Sequence, residues 1–512
     1  MPQEAAKDFQ TPLVLALDIG TSSVRAIVFD RQGHTVHGLG VQQIYSLRTT
    51  PDGGAEIAAQ DLLQTTITAI DHILQLTGPL ATAIAAVGIS TFWHSLLALD
   101  AHNAPLTPLY TWADTRSSQQ AIELRNLLDE RAIHARTGCV FHSSYWPAKL
   151  RWLTRTQPAI WKKAARLLSF GEYLFLHLFG DTVCSFSMAS GTGLLDQQTL
   201  TWDPQLLNTL NLDPRRLSPL RDRNASFTGL RDEYAQRWPA LRRIPWYPAL
   251  GDGACSNIGS GCLTPERLAI MVGTSGAMRV VIPADHIDIP WGLWSYRVDK
   301  ERFLLGGALS EGGNVIAWLR QALNITDLAA AETHLQQTPP DGHGLTILPF
   351  LAGERSPGWA AHARGAIVGL TLSTGPLDLL RASLEAIAYR FGLIHEILIT
   401  AVPHATEMIA SGGSLLHSPS WMQIIADVLN TPLTASTELE ASSRGAALLA
   451  LQACGALPNL ADAPAGTSAT YPPDPERHQI YRAAMARQHQ LYEQLIRPAL
   501  PPPTQVKPSG TA

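Results

Sequence analysis

The sequence predicts an α/β protein built from two similar halves, and three observations support this. Short β-branched segments such as 83–90 (AIAAVGIS) are typical of strands, and they alternate with segments of helical spacing such as 385–390. A strand–turn–strand pattern occurs twice, far apart in the chain. A chain of 512 residues is too long to fold around one compact core, so we expect roughly two to four domains.

The composition favours a small ligand over a nucleic acid. The formal net charge is -5, with 46% hydrophobic and 16% charged residues. No long run of one sign occurs, so sequence-independent nucleic-acid binding has little electrostatic support. We therefore expect a small, mostly uncharged ligand and no nucleic-acid partner.

The cysteines and the N-terminal segment indicate a cytoplasmic protein without a membrane partner. The five cysteines are odd in number and never in C-x-x-C spacing, which argues against a disulfide scaffold and a zinc site. The start of the chain (MPQEAAKDFQ) lacks a basic region followed by an apolar one, and no apolar run reaches about 18 residues. We therefore expect a soluble protein of the reducing cytoplasm.

The repeated pattern comprises residues 15–29 (LALDIGTSSVRAIVF) and 268–282 (LAIMVGTSGAMRVVI). Each copy predicts two strands joined by a Gly-Thr-Ser turn, whose glycine allows close approach and whose hydroxyl and N–H groups suit phosphate oxygens. Either copy alone is also compatible with an ordinary β-hairpin, but the pairing favours phosphate binding. The copies differ at one position, because Asp18 in the first corresponds to Met271 in the second.

Other nucleotide-binding schemes are excluded by their motifs. The sequence contains no G-x-x-x-x-G-K-[ST], and no G-x-G-x-x-G opens a helix after a strand. The glycine-rich loop, strand lysine and H-R-D catalytic loop of protein kinases are also missing.

A second acidic residue, Asp252, lies between two glycines in the segment 247–263 (YPALGDGACSNIGSGCL). An aspartate at the start of a helix often serves only as an N-cap. Here it precedes the second phosphate-type turn by about 20 residues, and a base that deprotonates an attacking hydroxyl must lie near the transferred phosphate. Asp252 is therefore a candidate general base.

Several motifs in order resemble the FGGY family of carbohydrate kinases, over nearly all of residues 13–455. They are DIGTSSVR (18–25), WADTR (112–116), GDGACSNIGSG (251–261), GTSG (273–276), GGALSEGGNVIAWL (306–319) and SGGSLLHSPSWMQIIADVLNTPL (411–433). The resemblance implies two actin-like (ribonuclease H-like) domains with a nucleotide and sugar cleft between them.

We place the N-terminal domain, with the sugar acceptor and the first phosphate turn, at 11–264 and the ATP-binding C-terminal domain at 265–460. Residues 461–512 are predicted to hold a Pro-rich linker, a C-terminal helix and a disordered tail. Asp474 and Pro475 are typical of a helix start, and the residues after them lie at near-helical spacing: Tyr481, Met485, Tyr492 and Leu495.

The resemblance also implies roles for individual residues. Asp18 would bind Mg²⁺ and organise the phosphates of ATP, and Asp252 would be the catalytic base and contact the sugar. The residues beside the terminal phosphates would be Thr21, Ser22, Ser23 and Arg25. The nucleotide would be cradled by Gly273, Thr274, Gly313, Gly412 and Gly413.

For the acceptor, the family pattern points to Trp93, His94, Trp112, Asp114 and Arg116. These combine flat apolar faces with hydrogen-bonding groups, as a polyol requires. Alternatives remain open, because either tryptophan could be a core residue, His94 could be structural, and Asp114 with Arg116 could form only a loop salt bridge.

Among family members the motifs look most like the gluconate kinases, with xylulose kinases next. The expected reaction is ATP-dependent phosphorylation of D-gluconate to 6-phosphogluconate, with xylulose or another pentulose or polyol as the alternative acceptor. A substrate carboxylate would need a cation, and Arg116, Arg279 and Arg355 are candidates. The sequence leaves the oligomeric state open, a homodimer included, and an actin- or Hsp70-like ATPase without a sugar acceptor is the rival class.

Overall fold

The computed structural model describes residues 9–497. The predicted disordered tail, 498–512, lies outside the described residues. Within them, two large sheets and their helices form two α/β domains, which confirms the predicted fold class. No helix in the range 9–497 combines the length and the apolar character that a bilayer crossing requires.

The first sheet has five strands and contains the first Gly-Thr-Ser turn. Strand Leu13–Ile19 is buried along its whole length, which explains its continuous apolar sequence. It pairs antiparallel with the next strand and parallel with Ile84–Thr91. In spatial order the strands are Leu250–Gly251, Ile84–Thr91, Leu13–Ile19, Ser23–Phe29 and Thr35–Ile44.

The second sheet has seven strands and repeats this plan. Its central five strands follow the same order of parallel and antiparallel pairings as the first sheet, so the predicted internal repeat extends to the topology. In spatial order the strands are Trp294–Arg297, Arg302–Leu309, Gly276–Pro283, Arg267–Val272, Glu407–Ser411, Leu433–Ser436 and Thr467–Tyr471.

A long insertion, residues 92–249, separates the last two strands of the first sheet in sequence and has its own core, which includes Leu124, Trp146 and Leu206. Four small sheets flank the two large ones: Arg48–Thr49 with Ala55–Ile57 and Leu109–Tyr110, Leu97–Leu99 with Arg166–Leu168, Cys184–Ser185 with Leu220–Arg221, and Leu195–Asp196 with Thr201–Trp202. A fifth, in the second half, joins Thr346–Leu348 and Ala366–Val368.

The helices cover the faces of the sheets and fill the insertion. In the first half they are Ala59–Thr77, Ser118–Leu127, Glu130–Thr137, Trp146–Thr156, Pro158–Lys163, Phe170–Phe179, Phe186–Ser190, Pro204–Thr209, Asp232–Arg237 and Asp252–Gly259. In the second half they are Gly313–Ala322, Leu328–Gln337, Pro376–Ala401, Gly413–Leu416, Pro419–Leu429, Ala441–Ala453 and Pro475–Leu495.

Two helices cross closely where the halves of the molecule meet, Asp252–Gly259 and Ala441–Ala453. A Cβ on Gly259 would lie 1.8 Å from the Ala441 carbonyl oxygen, and one on Gly445 would lie 1.8 Å from that of Cys255. Only glycine permits this backbone separation at both positions. The crossing fixes the start of helix Asp252–Gly259, and with it Asp252, at the boundary between the two sheets.

The predicted C-terminal helix is confirmed as Pro475–Leu495. The Asp474 carboxylate accepts hydrogen bonds from the Glu476 and Arg477 N–H groups, as an N-cap does. Three of the four residues of the predicted apolar face are buried, whereas Leu495 is exposed. The Tyr492 hydroxyl donates to Glu354 Oε2 at 2.7 Å, so this helix holds the loop that precedes Arg355.

Candidate active site

A cavity of about 260 Å³ lies between the two sheets and gathers several of the predicted site residues. The first half of the chain contributes the turn residue Thr21, the aromatic side chains and Asp252, and the second half contributes strand residues and two arginines. The lining includes Thr21, Trp93, His94, Trp112, Asp252, Ser275, Gly276, Ala277, Arg279, Trp294, Tyr296, Ala308 and Arg355.

Asp252 is the first residue of its helix and lies directly after the short strand Leu250–Gly251. The N-cap position is occupied by Gly251, so the carboxylate is not used as a cap. Its Oδ1 accepts one hydrogen bond, from the Gly253 N–H at 2.8 Å. Burial raises the pKa of Asp252 to about 6, against the opposing effect of nearby Arg279 and with a smaller raising effect from Asp18. A carboxylate with this pKa is a suitable proton acceptor near neutral pH.

Asp18 lies near the end of the first strand, Leu13–Ile19. Its side chain is buried, and Oδ1 accepts a hydrogen bond from the Ser90 hydroxyl at 2.8 Å. The Arg25 guanidinium is 3.7 Å from Oδ2. Burial raises the pKa of Asp18, and the bond from Ser90 and the charge of Arg25 oppose this effect.

The first Gly-Thr-Ser turn, residues 20–22, joins the first two strands of the first sheet. The Gly20 N–H donates to the Ser23 carbonyl at 2.9 Å, and the Tyr45 hydroxyl donates to the Gly20 carbonyl. Thr21 lines the cavity and Ser22 is exposed, whereas the Ser23 hydroxyl accepts a hydrogen bond from Gln42 at 3.0 Å. Donor groups on Thr21 and Ser22 are thus accessible to a ligand.

Arg25 also approaches Glu440, at the start of helix Ala441–Ala453, with 3.5 Å between Nε and Oε2. It therefore connects the first turn to the second half of the molecule.

The predicted nucleotide-cradling glycines converge on the second turn. The Gly313 N–H donates to the Gly273 carbonyl at 2.8 Å, and the Asn314 N–H donates to that of Thr274 at 3.0 Å. A Cβ on Gly313 would lie 2.1 Å from the Ser414 hydroxyl oxygen. Gly412 has φ +91°, and a Cβ there would lie 2.4 Å from the Val272 carbonyl oxygen. Side-chain-free backbone therefore surrounds the turn, with Gly413 opening the helix after it.

Trp93 and His94 form the floor of the cavity. The Trp93 indole N–H donates to the Ser187 carbonyl at 2.9 Å, and its ring packs so closely that a Cβ on Gly251 would lie 1.8 Å from it. His94 Nδ1 is hydrogen-bonded to the Gly191 carbonyl, and burial lowers the pKa of His94 well below its usual value. The ring is thus neutral, and with Nδ1 donating, Nε2 is left as an acceptor for a sugar hydroxyl.

Three aromatic residues that the sequence analysis missed complete the cavity or support it. Trp294 and Tyr296 line it from the second half and stack with 4.4 Å between ring centroids. Tyr296 also lies 4.6 Å from Trp93 and shares a 2.8 Å hydrogen bond with the Tyr145 hydroxyl. Trp294 and Tyr296 occupy alternate positions of the strand Trp294–Arg297, so the alternation of side chains along a strand could have assigned them to one face.

Lys149 was also missed, and it joins three loops of the long insertion. Its buried ammonium donates to three backbone carbonyls, those of His94 at 2.9 Å, Thr111 at 2.7 Å and Ser144 at 2.8 Å. Burial lowers the pKa of Lys149 to about 7, which Asp114 partly opposes. A single buried lysine in a helix gives no sequence signal for such a role.

Asp114 and Arg116 lie outside the lining of the cavity. The Arg116 guanidinium is paired with both Asp114 and Glu56, the latter at 2.7 Å, and lies over the Tyr110 ring. Asp114 also accepts from the Ala55 N–H at 3.2 Å. The pair therefore has the geometry of a structural ion network that holds the segment carrying Trp112, which is 37% exposed and lines the cavity.

Comparison with known proteins identifies similar proteins over most of the chain. The model for the N-terminal domain of the FGGY family of carbohydrate kinases matches residues 13–259, and the model for the C-terminal domain matches 268–454. A gluconokinase of Bacillus subtilis is 29% identical, with 87% of this chain and 88% of that protein covered. A xylulose kinase of Staphylococcus xylosus is 26% identical, with 85% and 90% covered.

The fold is similar to that of a solved structure from the same group. The crystal structure of a gluconate kinase from Lactobacillus acidophilus superposes with a TM-score of 0.88 at 28% identity, with 94% of this chain and 98% of that chain covered.

Proposed function

Because the chain belongs to the FGGY family of carbohydrate kinases, we propose that it transfers the γ-phosphoryl group of ATP to the terminal hydroxyl of D-gluconate, giving 6-phosphogluconate. The observation that carries this proposal is the position of Asp252, in the wall of a cavity that is lined both by residues of the two phosphate-type turns and by aromatic side chains. The similarity to gluconokinases supports the choice of acceptor.

In the proposed reaction Asp252 accepts the proton of the acceptor hydroxyl as the hydroxyl oxygen attacks the γ-phosphorus of ATP. The bond to the β–γ bridging oxygen breaks, and ADP leaves. With a pKa of about 6, Asp252 is mostly ionised at pH 7 and able to take this proton. The two turns donate N–H groups to the phosphates, and closure of the two domains over the cavity would exclude water that could otherwise accept the phosphoryl group.

Acceptor binding falls to the floor and walls of the cavity. Trp93 and Tyr296 offer ring faces to the carbon chain, and neutral His94 accepts from a hydroxyl. We propose that Asp114 and Arg116 do not contact the sugar themselves, contrary to what the sequence suggests, but hold in place the segment that carries Trp112.

The residues around the first turn fit a Mg²⁺ ion. Asp18 supplies a carboxyl group of the kind that Mg²⁺ prefers as a ligand, and Arg25 lies 3.7 Å from its Oδ2. We propose that Asp18 holds Mg²⁺ directly or through water, and that Mg²⁺ supplies charge neutralisation to the phosphates when bound. Thr21, Ser22, Ser23 and Arg25 would surround the terminal phosphates.

For the nucleotide, we propose that Gly273, Thr274, Gly313, Gly412 and Gly413 form the contact surface. The close backbone approaches at Gly313 and Gly412 leave no space for side chains, so a nucleotide would lie against the backbone itself. We place the domains at 11–264 and 265–460, with the nucleotide on the second. The five cysteines, unpaired among the described residues, suit work in the reducing cytoplasm, where ATP is supplied.

A xylulose kinase is the second candidate, favoured by the similarity to the enzyme of Staphylococcus xylosus. A coupled ADP-release screen over gluconate, xylulose, ribulose, fuculose, erythritol and glycerol separates the two. We expect the highest kcat/KM for gluconate. Highest activity with xylulose would transfer the proposal to the pentulose kinases, and ADP release independent of every acceptor would favour the actin- or Hsp70-like ATPase.

A further inference from the structure

Three arginines of this molecule have been considered as partners of a substrate carboxylate, and their surroundings separate them. Arg116 already has two carboxylate partners, Asp114 and Glu56. Its charge is therefore compensated inside the protein. Arg279 and Arg355 both line the cavity and come from the second half of the molecule.

Arg279 is a buried cation that lies near Asp252 but forms no ion pair within 4.0 Å among residues 9–497; burial lowers its pKa, and the charge of Asp252 opposes this effect. Only 4% of the residue is exposed, and Nε has no hydrogen-bond partner within residues 9–497. No carboxylate oxygen of this range lies within 4.0 Å of its guanidinium nitrogens. Taking an unpaired charge out of water is costly, so such a side chain in the wall of a ligand cavity indicates an anionic ligand group.

The position of the guanidinium fits the acceptor better than the phosphates of ATP. Arg279 is the third residue after Gly276, so its backbone is roughly 10 Å along the strand from the turn. Its Nη1 lies against the floor, where a Cβ on Gly253 would be 2.4 Å from Nη1 and 2.7 Å from Trp93. The guanidinium therefore reaches the floor of the sugar cavity beside Trp93.

We infer that Arg279 binds the carboxylate of the acceptor, so that the preferred substrate class is linear sugar acids with a terminal hydroxyl. This inference rests on the proposed phosphoryl transfer at Asp252. An extended six-carbon chain spans roughly 6 Å between its end carbons, so an acceptor with its terminal hydroxyl at Asp252 can present its carboxylate to another residue of the same cavity wall, here Arg279. Two guanidinium N–H groups facing one carboxylate give a planar, bidentate contact that a neutral alcohol cannot form.

Arg355 is the less suitable partner. It is partly exposed and lies in a loop, near the buried carboxyl group of Glu311. Burial raises the pKa of Glu311 to about 8, and Arg355 opposes this shift. Arg355 Nε also has no hydrogen-bond partner within residues 9–497, so its greater exposure to water is what separates it from Arg279, and it serves as the comparison for Arg279.

The test compares D-gluconate with D-glucitol, which has the same chain and a hydroxymethyl group in place of the carboxylate. Dissociation constants are measured calorimetrically for the unaltered protein and for R279M, R279K and R355M, together with kcat/KM for gluconate. We expect R279M to weaken gluconate binding about 100-fold and glucitol binding less than about 3-fold. R279K should lie between, and R355M should affect acid and alcohol alike.

Several results would overturn the inference. Equal weakening of both ligands in R279M would mean that Arg279 supports Asp252 or the floor, and a selective loss in R355M alone would assign the carboxylate to Arg355. If neither arginine variant folds, a preference of the unaltered protein for gluconate over D-gluconamide of less than about 3-fold would also refute it. Absence of gluconate phosphorylation by the unaltered protein would instead refute the proposed function.

Discussion

Replacement of Asp252 by asparagine tests the base directly. Asparagine keeps the shape and the Oδ1 acceptor for the Gly253 N–H, and it removes the negative charge and with it the ability to take a proton. Positioned general bases typically contribute about 10²- to 10⁴-fold, so we expect kcat to fall by at least about 100-fold. ATP affinity should change less than about 3-fold, because the phosphate contacts lie in the turns.

The pH dependence follows from the same group. With a pKa of about 6, half of the Asp252 carboxyl groups are ionised at pH 6 and about one-tenth at pH 5. The kcat/KM of the unaltered enzyme should therefore fall about tenfold between its plateau and pH 5, with a slope of one. D252N should lose this limb from its residual activity.

Protein stability provides the control for misfolding. The folded-state pKa of Asp252 is raised above the unfolded value, so ionisation of Asp252 destabilises the folded protein as the pH rises through about 4 to 6. D252N should therefore be at least as stable as the unaltered protein at pH 7.5, by denaturant unfolding. Coupled ADP-release kinetics and ATP titration complete the assay. A D252N variant with more than one-tenth of the original kcat, or with equal losses in kcat and ATP affinity, would refute the role of Asp252.

Three further predictions concern the surroundings of the site. K149M should lower the free energy of unfolding by about 2–4 kcal/mol and raise the sugar KM at least tenfold, because three buried carbonyls lose their hydrogen-bond donor. The matched control is K162M, at an exposed lysine. Unchanged sugar kinetics in K149M would contradict the role of Lys149. G445A should lower the free energy of unfolding by about 1–3 kcal/mol or more, because the added Cβ would clash with the Cys255 carbonyl of the crossing helix. A melting temperature equal to that of the unaltered protein would refute that contact. D18N should shift the Mg²⁺ dependence of the rate to higher concentration while sugar binding without nucleotide is kept; an unaltered Mg²⁺ titration would remove Asp18 from metal binding.

The sequence was sufficient for the parts of the fold that repeat a local pattern. The two hairpins at 15–29 and 268–282 are found where the Gly-Thr-Ser turns predict them, because an apolar strand, a glycine turn and a second apolar strand leave few alternatives. The start of the C-terminal helix followed in the same way from Asp474 and Pro475. The convergence of distant glycines around the second turn was available only through the family resemblance.

The sequence was insufficient where partners are far apart in the chain. Arg116 is balanced by Glu56, 60 residues away, so the sequence could not tell an ion network from a free substrate contact. Lys149 acts through backbone carbonyls, which have no identity in a sequence. The lack of an ion pair at Arg279 within the described residues is a property of its three-dimensional surroundings: Arg116 is paired with two carboxylates, and Arg355 is more exposed.

The most direct test of the proposed reaction is the position of the phosphate in the product. The protein is incubated with Mg²⁺, ATP and D-gluconate, and the product is examined by two-dimensional ¹H–³¹P NMR beside an ADP-release measurement. A phosphorus signal coupled to the C6 methylene protons, with one ADP released per phosphate transferred, is the predicted result. Phosphate on a secondary carbon, or ADP and free phosphate released without any phosphoester, would contradict it.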